Sequence, residues 1–307
     1  MKIESKQIYY EKVINRTQTR RKKMIKIGFT SYSFSKAVNA GRIDYLKSIE
    51  LAAEYGAEHI EIAKDLSAEQ ELIESVKATA KAQNLDLSSY TIGANFVQPD
   101  AEAVRKEVER IKGQIEIGAK LGVQRMRHDC GWRPIPEAGI DQFDKELPLF
   151  IDCCGELADY AAKYGITTSI ENHGFYVQGS ERVKRIVLGV NRANFRTTLD
   201  VGNFLCADED PVSAVMNNIS IASMIHFKDF HIKRSTPPTE EGYIKTFHGN
   251  YLRGALTGDG DVDLPRISRI INESGYEGYL SVEFEGWEDP LFACPRAIKN
   301  VKALMRG

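Results

Sequence analysis

Four short segments of the chain end an apolar run with a side chain that can bind a metal ion. They are Glu171 in ITTSIENHG (166–174), Asp200 in TTLDVGN (197–203), His226 in MIHFKD (224–229) and Glu283 in YLSVEFEG (279–286). Because an unpaired charge is costly to bury, four such endings suggest one shared site. Three carboxylates and one imidazole form a set of mostly hard oxygen donors. This set suits Mn²⁺, Mg²⁺ or Co²⁺ better than a structural zinc site built on thiolates.

The elements that must position these residues alternate regularly from Ile25 onward, as a short apolar run, a loop and a segment of helical period. The predicted strands are Lys26–Thr30, His59–Ala63, Leu85–Tyr90, Val123–His128, Thr167–Glu171, Arg196–Asp200, Ser223–Lys228 and Tyr279–Phe284. The predicted helices are Asp44–Tyr55, Ala68–Gln83, Ala101–Leu121, Lys145–Tyr164, Ser180–Gly189, Pro211–Asn217, Leu264–Glu273 and Pro290–Met305. Eight strand and helix rounds predict an α/β fold, a single-domain (β/α)₈ TIM barrel over residues 25–307.

An open, doubly wound parallel sheet is the alternative architecture. Such a sheet normally carries a glycine-rich first turn, whereas Ser31-Tyr32-Ser33-Phe34 follows the first strand here. Gly122 and three other glycines follow helical segments and precede strands, as left-handed helix ends require. The longest irregular stretch, 230–260, is expected to be a lid, a binding loop or disordered, with GDGD at 258–261 as a turn.

Composition narrows the class of partner and the compartment. The 307 residues are 42% hydrophobic and 27% charged, with a formal net charge of −2. Neither nucleic acid nor a membrane is therefore expected as a partner. The five cysteines form no CxxC pair and no zinc-like spacing, which favours a reducing cytoplasm over a disulfide framework.

Residues 1–24 form a polar, basic N-terminal extension that ends in Arg20, Arg21, Lys22 and Lys23. One interpretation is an arm that binds nucleic acid or another partner. The alternative, which we favour, is a solvated extension, because blocks of like charge are usually solvent-exposed tails.

In a TIM barrel the active site lies at the carboxyl ends of the strands, so the four ligand candidates are expected to converge on one side of that rim. The segments IENHG, TLDVGN, IHFKD, SVEFEG and LRGALTGDGDVD resemble the xylose isomerase-like TIM barrel superfamily, specifically its sugar phosphate isomerase/epimerase family, over roughly residues 24–305. Keto-sugar epimerases and inosose dehydratases also belong to that group. The resemblance implies one divalent ion, Mn²⁺ first and Mg²⁺, Co²⁺ or Zn²⁺ as alternatives, held by Glu171, Asp200, His226 and Glu283.

The chemistry that the resemblance implies is proton abstraction next to a carbonyl, through an enediolate that the metal stabilises as a Lewis acid. Glu171 and Glu283 are the expected catalytic pair, one removing the proton and the other able to return it. The substrate is expected to be a small sugar, sugar phosphate or polyol. The leading expectation is therefore an isomerase or epimerase, and the sequence permits a homo-oligomer.

Two departures from the epimerase pattern keep a lyase open as the runner-up. Asn203 stands where a second histidine is usual, and Val177 stands where a glutamate is usual. His173 offers an acid or base for an inosose-type dehydratase or a carbon-glycoside lyase on the same metal platform. The candidates for substrate binding are His173, Asn203, Lys228, His128, Arg253, Glu61 and Asn95.

Two hypotheses of other classes complete the set. A non-catalytic, sugar-binding subunit would keep the metal site without turnover. An abasic-site endonuclease needs a trinuclear zinc cluster with many histidines and a basic DNA groove. The chain has six histidines in all and a net charge of −2, which argues against it.

Overall fold

A closed barrel of eight parallel strands forms the centre of the computed structural model, which describes residues 25–307. The predicted extension at residues 1–24 lies outside the described residues. The strands are β1 (Lys26–Thr30), β2 (His59–Ile62), β3 (Asp86–Ile92), β4 (Arg125–His128), β5 (Thr167–Glu171), β6 (Phe195–Asp200), β7 (Ala222–Phe227), β8 (Asp229–Lys233), β9 (Ile244–Lys245), β10 (Tyr251–Ala255) and β11 (Tyr279–Val282). The barrel order is β1-β11-β7-β6-β5-β4-β3-β2, which confirms the predicted fold.

Helices connect successive barrel strands. They are α1 (Ser35–Asn39), α2 (Tyr45–Glu54), α3 (Gln70–Ala82), α4 (Ala101–Leu121), α5 (Ile140–Ala162), α6 (Ser180–Val190), α7 (Pro211–Asn218), α8 (Leu264–Glu273) and α9 (Pro290–Arg306). In α4, the Asp100 side chain caps the first turn by accepting a hydrogen bond from the backbone N–H of Ala103 at 2.8 Å. The helix ends at Gly122 with φ of 82°, a left-handed conformation, as its spacing in the sequence predicts.

Along β5 and β6, apolar side chains that pack in the core alternate with polar side chains on the other face of the strand. Ile170 on β5 and Leu199 on β6 belong to the main apolar cluster of the molecule. Their neighbours Ser169 and Thr198 lie on the opposite strand face and contact each other, with 2.8 Å between Oγ and Oγ1. β5 and β6 therefore each have an apolar residue in the main core and a polar face that ends at a predicted ligand.

The stretch 230–260, which the sequence predicts to be irregular, contains strands. β8, β9 and β10 form a small antiparallel sheet in which Arg253 pairs with His231. Its apolar side chains Phe230 and Leu252 form a small buried cluster with Cys206. The expectation of an irregular loop was wrong because these strands are short and bury few residues, which leaves no clear alternation in the sequence.

One carboxylate ties the two ends of this insertion together. Asp229 Oδ2 accepts hydrogen bonds from the backbone N–H groups of Gly258 and Gly260, both at 2.9 Å. Its Oδ1 accepts from the N–H groups of Phe230 at 2.9 Å and Val262 at 3.2 Å. The GDGD segment is thus a turn wrapped around Asp229.

All five cysteines are free and buried. Among the described helices, none combines the length and the apolar character that crossing a bilayer would demand.

Candidate metal centre and active site

The four predicted ligands converge on one point at the carboxyl end of the barrel. Their ligand atoms all lie within 4.8 Å of one another, and all four residues are buried. Glu171 and Asp200 end β5 and β6, His226 lies in β7, and Glu283 directly follows β11. Asp200 and His226 are partners in the register of neighbouring parallel strands. The convergence therefore follows from strands that all end at one rim.

The donor atoms of this cluster suit a divalent cation. Asp200 Oδ1 accepts hydrogen bonds from the N–H groups of Gly202 and Asn203, both at 2.8 Å. Asp200 Oδ2 and His226 Nδ1 are buried without a hydrogen-bond partner among the described residues. Buried polar atoms normally have partners, so two such atoms beside two further carboxylates fit a cation-binding site. Three carboxylates and one imidazole are donors that divalent metal ions accept.

Glu61 contacts the nitrogen of the His226 ring that is not next to Glu171 and Glu283. Its Oε2 lies 2.8 Å from His226 Nε2 and accepts a hydrogen bond from Ser281 Oγ at 3.0 Å. Thr91 donates to its other oxygen. Because Glu61 is completely buried, it positions His226 and does not face the cavity as the sequence suggested. His226 Nδ1 is left near Glu171 Oε1 and Glu283 Oε2, at 3.7 and 3.5 Å.

Three neighbouring side chains, Lys228, Arg127 and His226, compensate the charge of the buried carboxylates. Burial alone would raise the pKa of Glu283, but the charges of Lys228 and His226 outweigh it and hold that pKa well below its usual range. Burial likewise opposes ionisation of Glu171, and Arg127 together with His226 lowers its pKa overall. These positive neighbours therefore favour the ionised form of both glutamates.

Lys228 is buried and contacts both the cluster and Glu285, which lies in the loop after β11. Its Nζ lies 2.8 Å from Glu283 Oε2 and 3.0 Å from Glu285 Oε2. It also donates to Asn203 Oδ1 at 3.2 Å, while Asn203 Nδ2 donates to Glu171 Oε1 at 2.9 Å. Two of the predicted substrate-binding residues, Lys228 and Asn203, thus contact the ligand carboxylates directly.

On the other side of the cluster, an arginine and an aspartate lead to His173. Arg127 Nε lies 2.9 Å from Glu171 Oε2, and another of its nitrogens lies 2.8 Å from Asp129 Oδ1. His173 Nδ1 lies 3.3 Å from the same aspartate oxygen. Burial lowers the pKa of His173, but the Asp129 carboxylate outweighs it and raises that pKa above its usual value. His173 is thus suited to donating a proton.

These groups face a cavity of about 320 Å³ that opens at the rim. A volume near the lower end of the range for small-molecule sites suits a compact ligand. Its lining includes Glu171, Glu283, Lys228, His173, Arg127, Glu285 and Tyr32. The cluster thus meets a concave site lined by both acidic and basic groups.

Three predicted substrate-binding residues lie elsewhere. His128 packs its ring between Phe96 and Phe195, with ring centroids 6.1 and 6.3 Å away, so it faces the core. The Asn95 side chain accepts hydrogen bonds from two backbone N–H groups and holds its own loop. Arg253 lies on β10 and lines a separate cavity.

Asp129 and Glu285 are site residues that the sequence reasoning did not single out. Asp129 directly follows β4, and Glu285 comes two residues after Glu283. Both carry the same signal as the four candidate ligands, a charged or titratable residue at or just past the end of a buried strand. That signal would have identified them had it been applied to every strand end.

Comparison with known proteins agrees with this geometry. The model of the family described as xylose isomerase-like TIM barrel matches residues 49–302. The chain is 27% identical over 244 residues to inosose dehydratase of Lactiplantibacillus plantarum, covering 74% of this chain and 77% of that protein. It is 28% identical over 155 residues to inosose dehydratase of Bacillus licheniformis, a match that spans 50% of each chain.

Among solved structures, the fold is similar to that of the IOLI protein with a bound zinc atom. The TM-score is 0.70 at 19% sequence identity, over 91% of this chain and 96% of that one. At this identity the likeness concerns the fold. The family model covers most of the described residues, and the closed barrel agrees with its description. The chain belongs to the xylose isomerase-like TIM barrel family.

Proposed function

We propose that the protein is a divalent-metal-dependent dehydratase of a keto-polyol or keto-sugar. It removes a proton from the carbon next to a carbonyl and expels a hydroxyl group from the following carbon as water. The observation that carries this proposal is the cluster of Glu171, Asp200, His226 and Glu283 beside a cavity whose wall includes His173. The relatives named inosose dehydratase support elimination, the runner-up on sequence grounds, as the first candidate.

The four cluster residues would hold the metal ion. When bound, a divalent ion there supplies Lewis-acid stabilisation of negative charge that develops on a substrate carbonyl oxygen. The protein itself fixes the carboxylates: Arg127 lies beside one oxygen of Glu171, and Asn203 donates to the other. Carboxylates fixed in this way would hold the ion without reorganising during the reaction.

A glutamate of the cluster is the proposed base. Glu171 and Glu283 both reach the cavity, and the neighbouring cations keep both ionised. The C–H electron pair becomes the new carbon–carbon double bond as the proton passes to the carboxylate. A general base of this kind contributes about 10²–10⁴-fold to the rate.

His173 is the proposed acid for the departing hydroxyl. It lines the cavity, and Asp129 orients its imidazole at 3.3 Å. The carbon–oxygen bond breaks with its electron pair on oxygen, and the proton from His173 completes a water molecule. Glu171 ends β5 and His173 lies two residues later, so the proposed base and the proposed acid come from the same strand end.

Epimerisation is the second candidate, since both Glu171 and Glu283 line the cavity. One would remove the proton and the other would return it to the opposite face. Epimerisation needs no acid for a leaving group, so His173 separates the two candidates: its substitution should suppress elimination far more than exchange of the substrate proton with solvent.

The test is turnover of inososes, keto-hexoses and their phosphates in D₂O with Mn²⁺, Mg²⁺, Co²⁺ or Zn²⁺, followed by mass spectrometry. A product lighter by one water supports the dehydratase. A product that has gained deuterium but has not lost water supports the epimerase. Glu171→Gln should lower either rate by at least about 10²-fold, while Glu74→Gln on the exposed face of α3 serves as the matched control. Metal and ligand binding without either outcome would favour a sugar-binding subunit and overturn the proposal.

A further inference from the structure

A second cavity lies beside the first at the same rim. It has a volume of about 280 Å³ and is lined by residues of the β8–β10 insertion and of the loop after β11, among them Lys233, Glu241, Tyr243, Arg253 and Trp287. None of these residues contributes to the cluster or to the proposed acid and base. The cavity therefore needs an explanation of its own.

The two cavities share one short loop. Glu285 lines the first cavity and Trp287 lines the second. Two residues span at most about 7 Å between Cα atoms. A ligand that fills the first cavity and continues past Glu285 would therefore reach Trp287 within the length of one additional ring.

Trp287 is held in place although its side chain is half exposed, at 56%. Gly242 lies against the indole ring, and a Cβ at that position would clash with Cζ3 of the ring. Gly242 also has a φ of 75°, which a residue with a side chain rarely adopts. The insertion thus supplies a backbone surface that fixes one face of the indole.

Arg253 is fixed as well. Its backbone pairs with His231 in the β8–β10 ladder, and its guanidinium carbon lies 5.4 Å from the centroid of the Tyr243 ring. Its Nε is buried and has no hydrogen-bond partner among the described residues. An unsatisfied buried donor costs about 1–3 kcal/mol, so a ligand oxygen that accepts from it would be favoured.

The mixture of groups indicates the chemistry of the ligand. Half-exposed Trp287 offers a flat apolar surface, which suits the C–H face of a sugar ring. Arg253 and Lys233 are donors, and Glu241 is an acceptor, which together suit hydroxyl groups. A phosphate would be repelled by Glu241, and a lipid chain would leave all three charges unpaired.

We propose that this second cavity is a subsite for a distal sugar ring, so that the substrate is a glycoside. The reacting ring lies over the ligand cluster, and the distal ring stacks on Trp287 and hydrogen-bonds to Arg253. This proposal deepens the proposed function and rests on it for the reacting ring. The β8–β10 insertion is then the part of the protein that recognises the second ring.

The first experiment compares kinetics on a keto-monosaccharide and on its glycoside, both with the metal-loaded full chain. We expect the wild type to have a lower KM for the glycoside. Trp287→Ala should raise the KM of the glycoside about tenfold, equivalent to about 1.4 kcal/mol, and leave the KM of the monosaccharide unchanged. Arg253→Gln should act in the same direction. Phe292→Ala, which removes an exposed aromatic side chain of α9, is the matched control.

The second experiment measures binding without turnover. The chain has two tryptophans, so a Trp132→Phe background leaves Trp287 as the fluorescent reporter. Maltose, cellobiose and trehalose are the probes, with glucose for comparison. We expect at least one disaccharide to change Trp287 fluorescence saturably at lower concentration than glucose, and Arg253→Gln to weaken that change.

The outcomes separate the two proposals. If monosaccharide ketones are turned over but glycosides are not preferred, or if Trp287→Ala raises both KM values equally, the subsite proposal is overturned and the proposed function stands. If disaccharides bind at Trp287 but no ketone of either class reacts, the proposed function fails and the sugar-binding cavity remains.

Discussion

Glu61 Oε2 lies 2.8 Å from His226 Nε2, although the two residues come from β2 and β7, which β1 and β11 separate in the barrel. The contact therefore crosses the barrel interior. In the neutral imidazole, with Nε2–H donated to Glu61, Nδ1 carries a lone pair and lies 3.7 and 3.5 Å from Glu171 Oε1 and Glu283 Oε2. A carboxylate behind a metal-binding histidine fixes its tautomer and raises its basicity.

The first prediction concerns this pair. Glu61→Gln should weaken binding of Mn²⁺ or Zn²⁺ by about 10–100-fold, because the histidine loses its charged partner while all four ligands remain. The measurement is titration calorimetry with each metal at pH 7.5. The matched control, Glu74→Gln on α3, removes an exposed carboxylate and should leave the affinity unchanged. An unaltered affinity in Glu61→Gln would mean that Glu61 only fills space.

The second prediction concerns Asp229, which accepts four backbone hydrogen bonds at the ends of the β8–β10 insertion. Asp229→Asn places an amide donor against two of those N–H groups. The free energy of unfolding should fall by about 2–3 kcal/mol, measured by urea denaturation. Hydrogen exchange should increase first in residues 229–262.

Asp259 provides the control for that experiment. It is exposed within the same turn, and Asp259→Asn should change the free energy of unfolding by no more than about 0.5 kcal/mol. Equal losses of stability in the two variants would contradict the role given to Asp229.

The third prediction is a pH dependence of stability that comes from His59 on β2. Burial lowers the pKa of His59 to about 4, against the hydrogen bond to the Leu280 carbonyl. In the unfolded chain His59 binds a proton near pH 6.5, whereas in the native state it stays neutral until the pH falls to about 4. The contribution of His59 is therefore complete above pH 6.5 and is lost progressively as the pH falls towards 4.

Between pH 7.5 and 5.0, His59 should account for about 2 kcal/mol of the loss in the free energy of unfolding. The measurement is urea denaturation of the wild type and His59→Gln at both pH values, with a chelator present so that metal binding does not contribute. The variant should have the smaller loss on acidification. Identical losses would assign the pH dependence to other groups.

Much of the fold was predictable because its signals are local. Short apolar runs ended by charged residues marked the strands, and Gly122 marked a helix end. The cluster of four candidate ligands was predictable as a group, since Glu171, Asp200 and His226 each lie at or next to the end of a strand. Parallel strands bring such positions together without any further information.

The remaining assignments depended on relations that one strand does not encode. His128 and Arg127 are neighbours on β4, and only the register of the closed barrel decides which of them faces the interior. Glu61 was assigned to the substrate because its partner, His226, lies 165 positions away along the chain. Arg253 is predicted to bind the substrate because the sequence does not reveal the strands that carry it away from the cluster.

The attachment of the β8–β10 insertion has a consequence for how such a protein diversifies. The insertion leaves the barrel after Lys228 and returns at the turn that is hydrogen-bonded to Asp229. The segment between these two points could therefore be replaced by another of different length and sequence. A grafted hairpin of different shape would change which molecules are admitted, while the reacting centre beneath it would keep its geometry.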